Sequence, residues 1–422
     1  MLAYEKKIYL LLGSCCLAMI ALGIAIDGPL TSLQGWLRLQ THAARLINDF
    51  TVIGGTGGAL LNAGLMGLIC LLLTRLSGVA LSGPTVAATC TILGFSLFGK
   101  TPLNALPVVL GVFLASRIAG KPFKSYILMA LFGTALGPLV SYLVFETDLV
   151  GLPAIGLGLL GGIIAGCALP ALAMAMLRMH EGFNLYNMGL TCGFLGLFAA
   201  AGLAGTGHNL TTDLVWNAQP ALALRLLVPI LCILFLIWGT VLDGRKLWRN
   251  LLAIFKMSGR LPSDFMATVS PGAALVNAGL LGLAGSVYLT IIGAACNGPV
   301  IGGLLTVMGF ATFGKHPRNC WPVAVGVIGA TLLFGKSLVA PGPVLALLFG
   351  TTLAPLAGEF GPLVGMAAGF VHLTLVERSA AWHGGLDLYN NGFAGGLTAT
   401  LFVAIIQWLR SFKTGGPTTH RP

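Results

Sequence analysis

Two stretches of this chain place histidine, asparagine, tyrosine and aspartate at one spacing inside an otherwise apolar sequence. The first carries His180, Gly182, Asn184, Tyr186 and Asn187; the second carries His383, Gly385, Asp387, Tyr389 and Asn390, followed by Asn391. Asn and Tyr supply donors and acceptors without net charge, a lining that can replace a solute's hydration shell. The same residues also suit a helix start, with Asn as N-cap and Tyr as an interfacial anchor. Asp387 stands where the first stretch has Asn184, so if the two meet in one site a single carboxylate breaks their symmetry and can bind a cation or a proton. His180 and His383 are read as hydrogen-bonded structural residues, the commoner role of a lone interfacial histidine.

Two further paired sets carry polar groups. In the first, Gly94, Phe95, Phe98, Gly99, Lys100, Pro102 and Asn104 match Gly309, Phe310, Phe313, Gly314, Lys315, Pro317 and Asn319. A lysine at the bilayer centre costs on the order of 2.5–3.5 kcal/mol on insertion scales, so interfacial snorkelling is the cheaper role for Lys100 and Lys315. The sharper alternative is a symmetric pair of cations that, with Asn104 and Asn319, guides a polar or anionic solute from either side. In the second set, glycine-rich starts (Gly54–Gly58, and Ser270-Pro271-Gly272) precede Asn62 and Asn277 by about one turn. Breaking a helix there frees N–H groups that attract anions or carbonyl oxygens, whereas close packing of small residues between membrane helices needs no ligand. The candidate solute contacts are therefore Asn62, Asn277, Asn184, Tyr186, Asn187, Asp387, Tyr389, Asn390, Lys100, Lys315, Asn104 and Asn319.

Enzymatic and nucleotide-driven chemistry has no counterpart here. There is no Ser/His/Asp arrangement, no two-carboxylate pair, no His-rich metal constellation and no P-loop. The nine cysteines form no CxxC, lie almost entirely in apolar runs and read as buried thiols. No catalytic residue, metal or cofactor is expected. The formal charge of +11 comes from cations scattered between apolar segments, not from a basic patch interleaved with aromatics, so nucleic acid is not an expected partner.

The elements that must position these residues are membrane helices. Of 422 residues 56% are apolar and 8% charged, against roughly 25% charged in a soluble domain. The run from Ile8 to Ala25 behind Lys6 and Lys7 is long for a signal sequence, lacks a small-residue cleavage site and reads as an uncleaved first helix. Seven apolar segments follow one another near 8–26, 50–74, 79–98, 103–119, 125–145, 155–177 and 184–204, and a second seven repeat them. Asn62-Ala63-Gly64-Leu65 recurs as Asn277-Ala278-Gly279-Leu280 at an offset of 215, which holds through Pro107 and Pro322. The offset becomes 217 at Phe132-Gly133-Thr134 and Phe349-Gly350-Thr351, then 203 at Tyr186 and Tyr389, because an extra loop lies around Phe145–Pro153. Segments 103–119, 320–335 and 361–376 are short for a full crossing, and some are expected to be tilted or re-entrant. Leu33–Leu46 and Arg245–Ile254 read as amphipathic helices lying in the interface.

Cations set the orientation. Lys6 and Lys7 precede the first helix of copy one, whereas Arg245, Lys246, Arg249, Lys256 and Arg260 follow the first helix of copy two. The two copies are thus expected to be inverted, which an odd number of crossings per copy requires, with both termini cytoplasmic. The expected organisation is repeat one at 1–206, an external linker at 207–215, repeat two at 216–413 and a cytoplasmic tail at 414–422.

This tandem pattern is similar to an uncharacterised bacterial membrane-protein family, a domain of unknown function, across almost the full length. More distantly the layout resembles urea transporters, which have two inverted halves with re-entrant half-helices around a narrow pore. Asn62-Ala63-Gly64-Leu65-Met66-Gly67-Leu68 and Gly182-Phe183-Asn184-Leu185 are loosely similar to their half-helix motifs, but the Asn-Pro and Pro-Phe-Asn dipeptides are missing, so the resemblance bears on architecture rather than on solute. The expectation is an all-α, multi-pass protein of a bacterial cytoplasmic membrane, not an enzyme. It would be a transporter or channel for a small polar solute in contact with the lipid bilayer, a homodimer or homotrimer being compatible. The alternatives are a Na⁺- or H⁺-coupled transporter of a small organic anion and, third, a lipid-handling protein or membrane enzyme.

Overall fold

The computed structural model describes residues 3–211 and 213–413. The expected tail at 414–422 lies outside the described residues. Helices dominate, and the extended pairing among the described residues is a single bridge between Asn48 and Val215. That composition is physical: in hydrocarbon a backbone without water must satisfy its own N–H and C=O groups, and a helix does so within one segment.

The first series runs α1 (Ala3–Asp27), α2 (Pro29–Gln40), α3 (Phe50–Ile53), α4 (Gly55–Leu76), α5 (Gly83–Phe95), α6 (Pro102–Ile118), α7 (Ile127–Gly133), α8 (Gly137–Phe145), α9 (Leu152–His180) and α10 (Asn187–Gly205). The second runs α11 (Leu222–Asp243), α12 (Leu247–Ile254), α13 (Phe265–Thr268), α14 (Pro271–Ile292), α15 (Gly298–Phe310), α16 (Pro317–Leu333), α17 (Pro341–Gly350), α18 (Ala354–Phe360), α19 (Pro362–Trp382) and α20 (Asn390–Lys413). Among the described residues nine helical segments are long and apolar enough to cross a membrane, the bent pairs α7–α8 and α17–α18 each counting once. This is a multi-pass, all-helical membrane protein.

Three details differ from the sequence reading. The segment expected at 361–376 is the 21-residue α19, which continues through His372, Glu377 and Arg378. Pro102 and Pro317, whose place after Lys100 and Lys315 reads in sequence as a sharp exit from a helix, instead open α6 and α16 at the first position, where a missing N–H costs nothing. The stretch after α1 is not a free interfacial helix along its whole length, because α2 lays Gly35 against Gly54 and Gly58 of the α3–α4 break. A Cβ on Gly35 would stand 1.9 Å from the Gly54 carbonyl oxygen, so backbone meets backbone at that contact.

The centre is built from the shortest helices. α5 and α15 have 13 residues each, about 20 Å at 1.5 Å per residue against a hydrocarbon core of about 30 Å, and almost every residue in them is buried. They cross where Gly94 meets Gly302 and Gly309 meets Ala87; a Cβ on Gly94 would lie 2.7 Å from the Gly302 Cα. Beside them α10 and α20 cross at Gly189 and Gly392, again 2.7 Å from an added Cβ to the facing Cα. Small-residue contacts of this kind let membrane helices approach without a hydrophobic driving force.

Each short helix starts on a carboxylate from the other series. Gly83 N donates to Asp264 Oδ1 at 3.2 Å, and Asp49 takes the corresponding place beside Gly298. The starts of α4 and α14 are filled too: Gly57 N donates to Asp27 Oδ2 at 2.6 Å, and Ser270, hydrogen-bonded to Asp243, caps α14. The positive ends that could attract an exogenous anion are thus neutralised by the chain's own side chains.

The linker between the series covers one end of the molecule. Val215 N donates to the Ile47 carbonyl, Asn217 N to Asp49 Oδ2, and Leu210 packs on Gly384. The related end, where Leu261 N donates to the Gly182 carbonyl and Arg260 pairs with Glu181, lies away from these linker contacts.

Candidate functional site

Where the short helices and the starts of α10 and α20 meet, a cavity of about 250 Å³ opens. Its wall pairs matched residues of the two series: Thr91 with Thr306, Phe95 with Phe310, and Tyr186 with Tyr389. Away from this symmetric centre the lining is one-sided. It includes Ala173, Met174 and Leu177 of α9 and Leu261, whereas their counterparts Val376, Glu377, Ala380 and Leu46 are absent from it. The cavity thus extends toward the end that the linker leaves uncovered.

Behind the tyrosines stand two lysines. Lys100 and Lys315 are fully buried, which overturns the interfacial, snorkelling role expected from insertion cost. Lys100 Nζ donates to Thr134 Oγ1 at 2.7 Å and to Tyr389 OH at 2.5 Å; Lys315 Nζ donates to Thr351 Oγ1 at 2.7 Å and to Tyr186 OH at 2.5 Å. Each ammonium also sits over the ring of its tyrosine, 4.4 Å from Tyr389 and 4.5 Å from Tyr186, an attraction of up to about 2 kcal/mol once water is removed. Each of these two lysines therefore belongs to one series and its tyrosine to the other.

The glycine-rich starts connect to the same centre through their asparagines. Asn62 Nδ2 donates to the carbonyls of Ser96 and Lys100, and Asn277 Nδ2 to those of Ala311 and Lys315, at 2.7–2.8 Å. These carbonyls lie just past the ends of α5 and α15, where helix geometry leaves acceptors unpaired. Asn62 and Asn277 thus hold the backbone that carries each lysine. Asn104 and Asn319 close capping boxes with Thr101 and His316 and donate to the Gly99 and Gly314 carbonyls. All four asparagines are buried away from the cavity wall.

In the third set the tyrosines and Asn187 reach the wall, together with Asn391. Asn187 and Asn390 tie the helix before them to the helix they start, donating to the Ala173 and Val376 carbonyls and pairing with His180 and His383 at 3.0 Å. Tyr186 and Tyr389 are buried rather than interfacial. Asn184 spends its amide on the Gly392 carbonyl and its oxygen on Tyr186 N and Thr352 Oγ1. Asp387 accepts from Tyr389 N through Oδ1, at 2.9 Å, and its Oδ2 is buried with no hydrogen-bond partner.

Sequence reading missed Thr134 and Thr351, the second hydroxyls on the lysines, and the facing Thr91, Thr306, Phe95 and Phe310. The signal was present in the repeated Phe-Gly-Thr triplet, a polar residue kept at one place in both apolar runs. Its partners lie 34 and 36 residues away in sequence, beyond any helical periodicity.

The chain belongs to the family described as a protein of unknown function (DUF1576), whose pattern matches residues 29–204 and 244–408. These stretches begin 215 residues apart, the offset that relates Asn62 to Asn277. No curated protein and no solved structure matches the chain.

Proposed function

We propose that this member of the family is a membrane transporter that passes a small polar solute through the cavity between its two series. The observation that carries the reading is a cavity whose wall pairs Thr91, Phe95 and Tyr186 with Thr306, Phe310 and Tyr389. Inverted repeats place substrate sites at their shared interface, at irregular backbone between broken helices, and the cavity lies at such breaks. We take the two series to be inverted across a bacterial cytoplasmic membrane, with both termini inside and the Arg178 and Arg260 end cytoplasmic, as the cation distribution suggests. The lining is mainly aromatic and aliphatic, with hydroxyl and amide groups from Thr91, Tyr186, Tyr389, Asn187 and Asn391. That combination suits a compact solute carrying an apolar body and one or two polar groups.

A second reading, coupled uptake of a small organic anion, is favoured by the charges behind the wall. Lys100 and Lys315 are held by neutral hydroxyls rather than carboxylates, so each ammonium can answer a negative solute. Asp387 adds one ionisable group to an otherwise amide-based pair of sites. Stopped-flow flux in liposomes, across neutral polar solutes and small carboxylates, with and without Na⁺ or pH gradients, tests both readings. Saturable flux independent of gradients supports the uniporter or channel. Gradient-driven carboxylate flux supports coupling, and flux of no solute at all contradicts transport.

A further inference from the structure

Asn184 and Asp387 occupy the same place in the two series, 203 residues apart. Each accepts a backbone N–H from the tyrosine two residues on: Tyr186 N to Asn184 Oδ1 at 3.2 Å, and Tyr389 N to Asp387 Oδ1 at 2.9 Å. The backbone beside them matches as well, since Leu185 N donates to the Thr352 carbonyl and Leu388 N to the Ala135 carbonyl. Oδ1 of the aspartate therefore stands for Oδ1 of the asparagine, and Oδ2 stands for Nδ2.

That second correspondence is chemically unequal. Asn184 Nδ2 is a donor and gives its hydrogen to the Gly392 carbonyl at 3.1 Å. The repeat places the Gly189 carbonyl as the matching acceptor for Asp387 Oδ2, an oxygen that is fully buried and receives no hydrogen bond. A carboxylate oxygen turned toward a carbonyl oxygen repels it; a carboxylic acid there donates an O–H and reproduces the asparagine's bond. The surroundings are altered in the same sense. Thr352 gives Asn184 Oδ1 a hydroxyl at 2.6 Å, but the matching residue is Ala135, and the space is taken by Cys192 where the other series has Gly395. The site that holds an acid has thus lost the donor that would stabilise its anion.

We propose that Asp387 is a proton-binding site: its carboxyl carries a proton given to the Gly189 carbonyl in this conformation, and exchange of that proton couples the transporter to a proton gradient. The coupling half rests on the transport reading; the protonation half does not. The titratable groups that face the carboxyl are Lys100, Cys192 and Tyr389, with Cys70 behind Tyr389 and His383 beside it on its own segment. Lys100 is held by Thr134 and Tyr389, and His383 by Asn390. A sodium ion is a poorer occupant, because hard cations of this kind gather several oxygens and the match to the other repeat supplies Asp387 Oδ2 with one carbonyl.

Infrared titration of the purified full chain in lipid tests the protonation with the proton alone as probe. With only 12 acidic side chains, a protonated-carboxyl C=O band can be assigned by difference against Asp387→Asn, which should fold because asparagine fills the related position. The wild-type protein is expected to show the band at neutral pH and the variant to lack it; identical spectra would overturn the proposal. Ala135→Thr with Cys192→Gly rebuilds the surroundings of Asn184, and restoring the hydroxyl donor should make the band vanish at a pH lower by about one unit or more. No displacement would show that the lost donor is not what keeps the proton. In liposomes carrying the solute panel, wild-type flux should respond to a proton gradient and Asp387→Asn flux should not. Gradient-independent wild-type flux beside an intact band would overturn the coupling and leave transport standing. An intact band with no flux of any solute would overturn transport, and the coupling with it.

Discussion

A buried amine survives at membrane depth only where neighbours replace its water, and here two hydroxyls and an aromatic face do so for each lysine. Removing one hydroxyl leaves the ammonium under-satisfied, so Thr134→Val or Tyr389→Phe should each cost about 1–3 kcal/mol. The two losses should be non-additive, because both act on Lys100 Nζ; chemical denaturation in detergent checks both points. Asn62→Leu strips the donor from two carbonyls at once and should destabilise by roughly 2–4 kcal/mol. A smaller loss would show that other groups satisfy the end of α5. The repeat made Lys100 and Asn62 conspicuous in the sequence but not their roles. Insertion cost describes an isolated lysine, and the Tyr389 hydroxyl that changes the balance lies 289 residues away. For the same reason the capping boxes of Asn104 and Asn319 were not legible in the sequence.

At the scale of helices, hydropathy located nearly every segment, because burial in lipid demands long apolar runs and a break needs glycine or proline. It could not show that α5 and α15 meet the other series' carboxylates, or that α10 and α20 touch through Gly189 and Gly392. Contacts between copies leave no periodic trace in either copy. The Gly189–Gly392 crossing leaves no room for a methyl group, so Gly189→Ala should cost about 1–3 kcal/mol through overpacking and reduce flux. A variant as stable as the parent would mean that the helices part easily there. The one-sided lining makes another expectation: Leu261→Cys, on the cavity wall, should react quickly with a membrane-impermeant thiol reagent, and Leu46→Cys, its counterpart off that wall, slowly. Equal rates at the two positions would contradict a one-sided cavity.

The whole molecule combines an inferred inversion with an observed asymmetry. The proposed inversion would make the two ends equivalent in sequence, and the linker together with the one-sided lining makes them different, the kind of asymmetry that the proposed transport would use. If the cation count sets orientation correctly, reagent applied from the cytoplasmic face should label Leu261→Cys and reagent from the outer face should not. Labelling from outside alone would reverse the assignment. The solute was not legible in the sequence, since a wall of phenylalanine, threonine and tyrosine describes size and polarity rather than a particular molecule.

The central claim is that solute crosses through the cavity between the two series. The most direct measurement is flux through Leu261→Cys in liposomes before and after a bulky methanethiosulfonate reagent, and again after reduction, with wild-type protein as the control for its mostly buried native cysteines. Flux should fall at least about tenfold on labelling, a barrier increase of about 1.4 kcal/mol, and return when the disulfide is reduced. Complete labelling that leaves flux unchanged would contradict it.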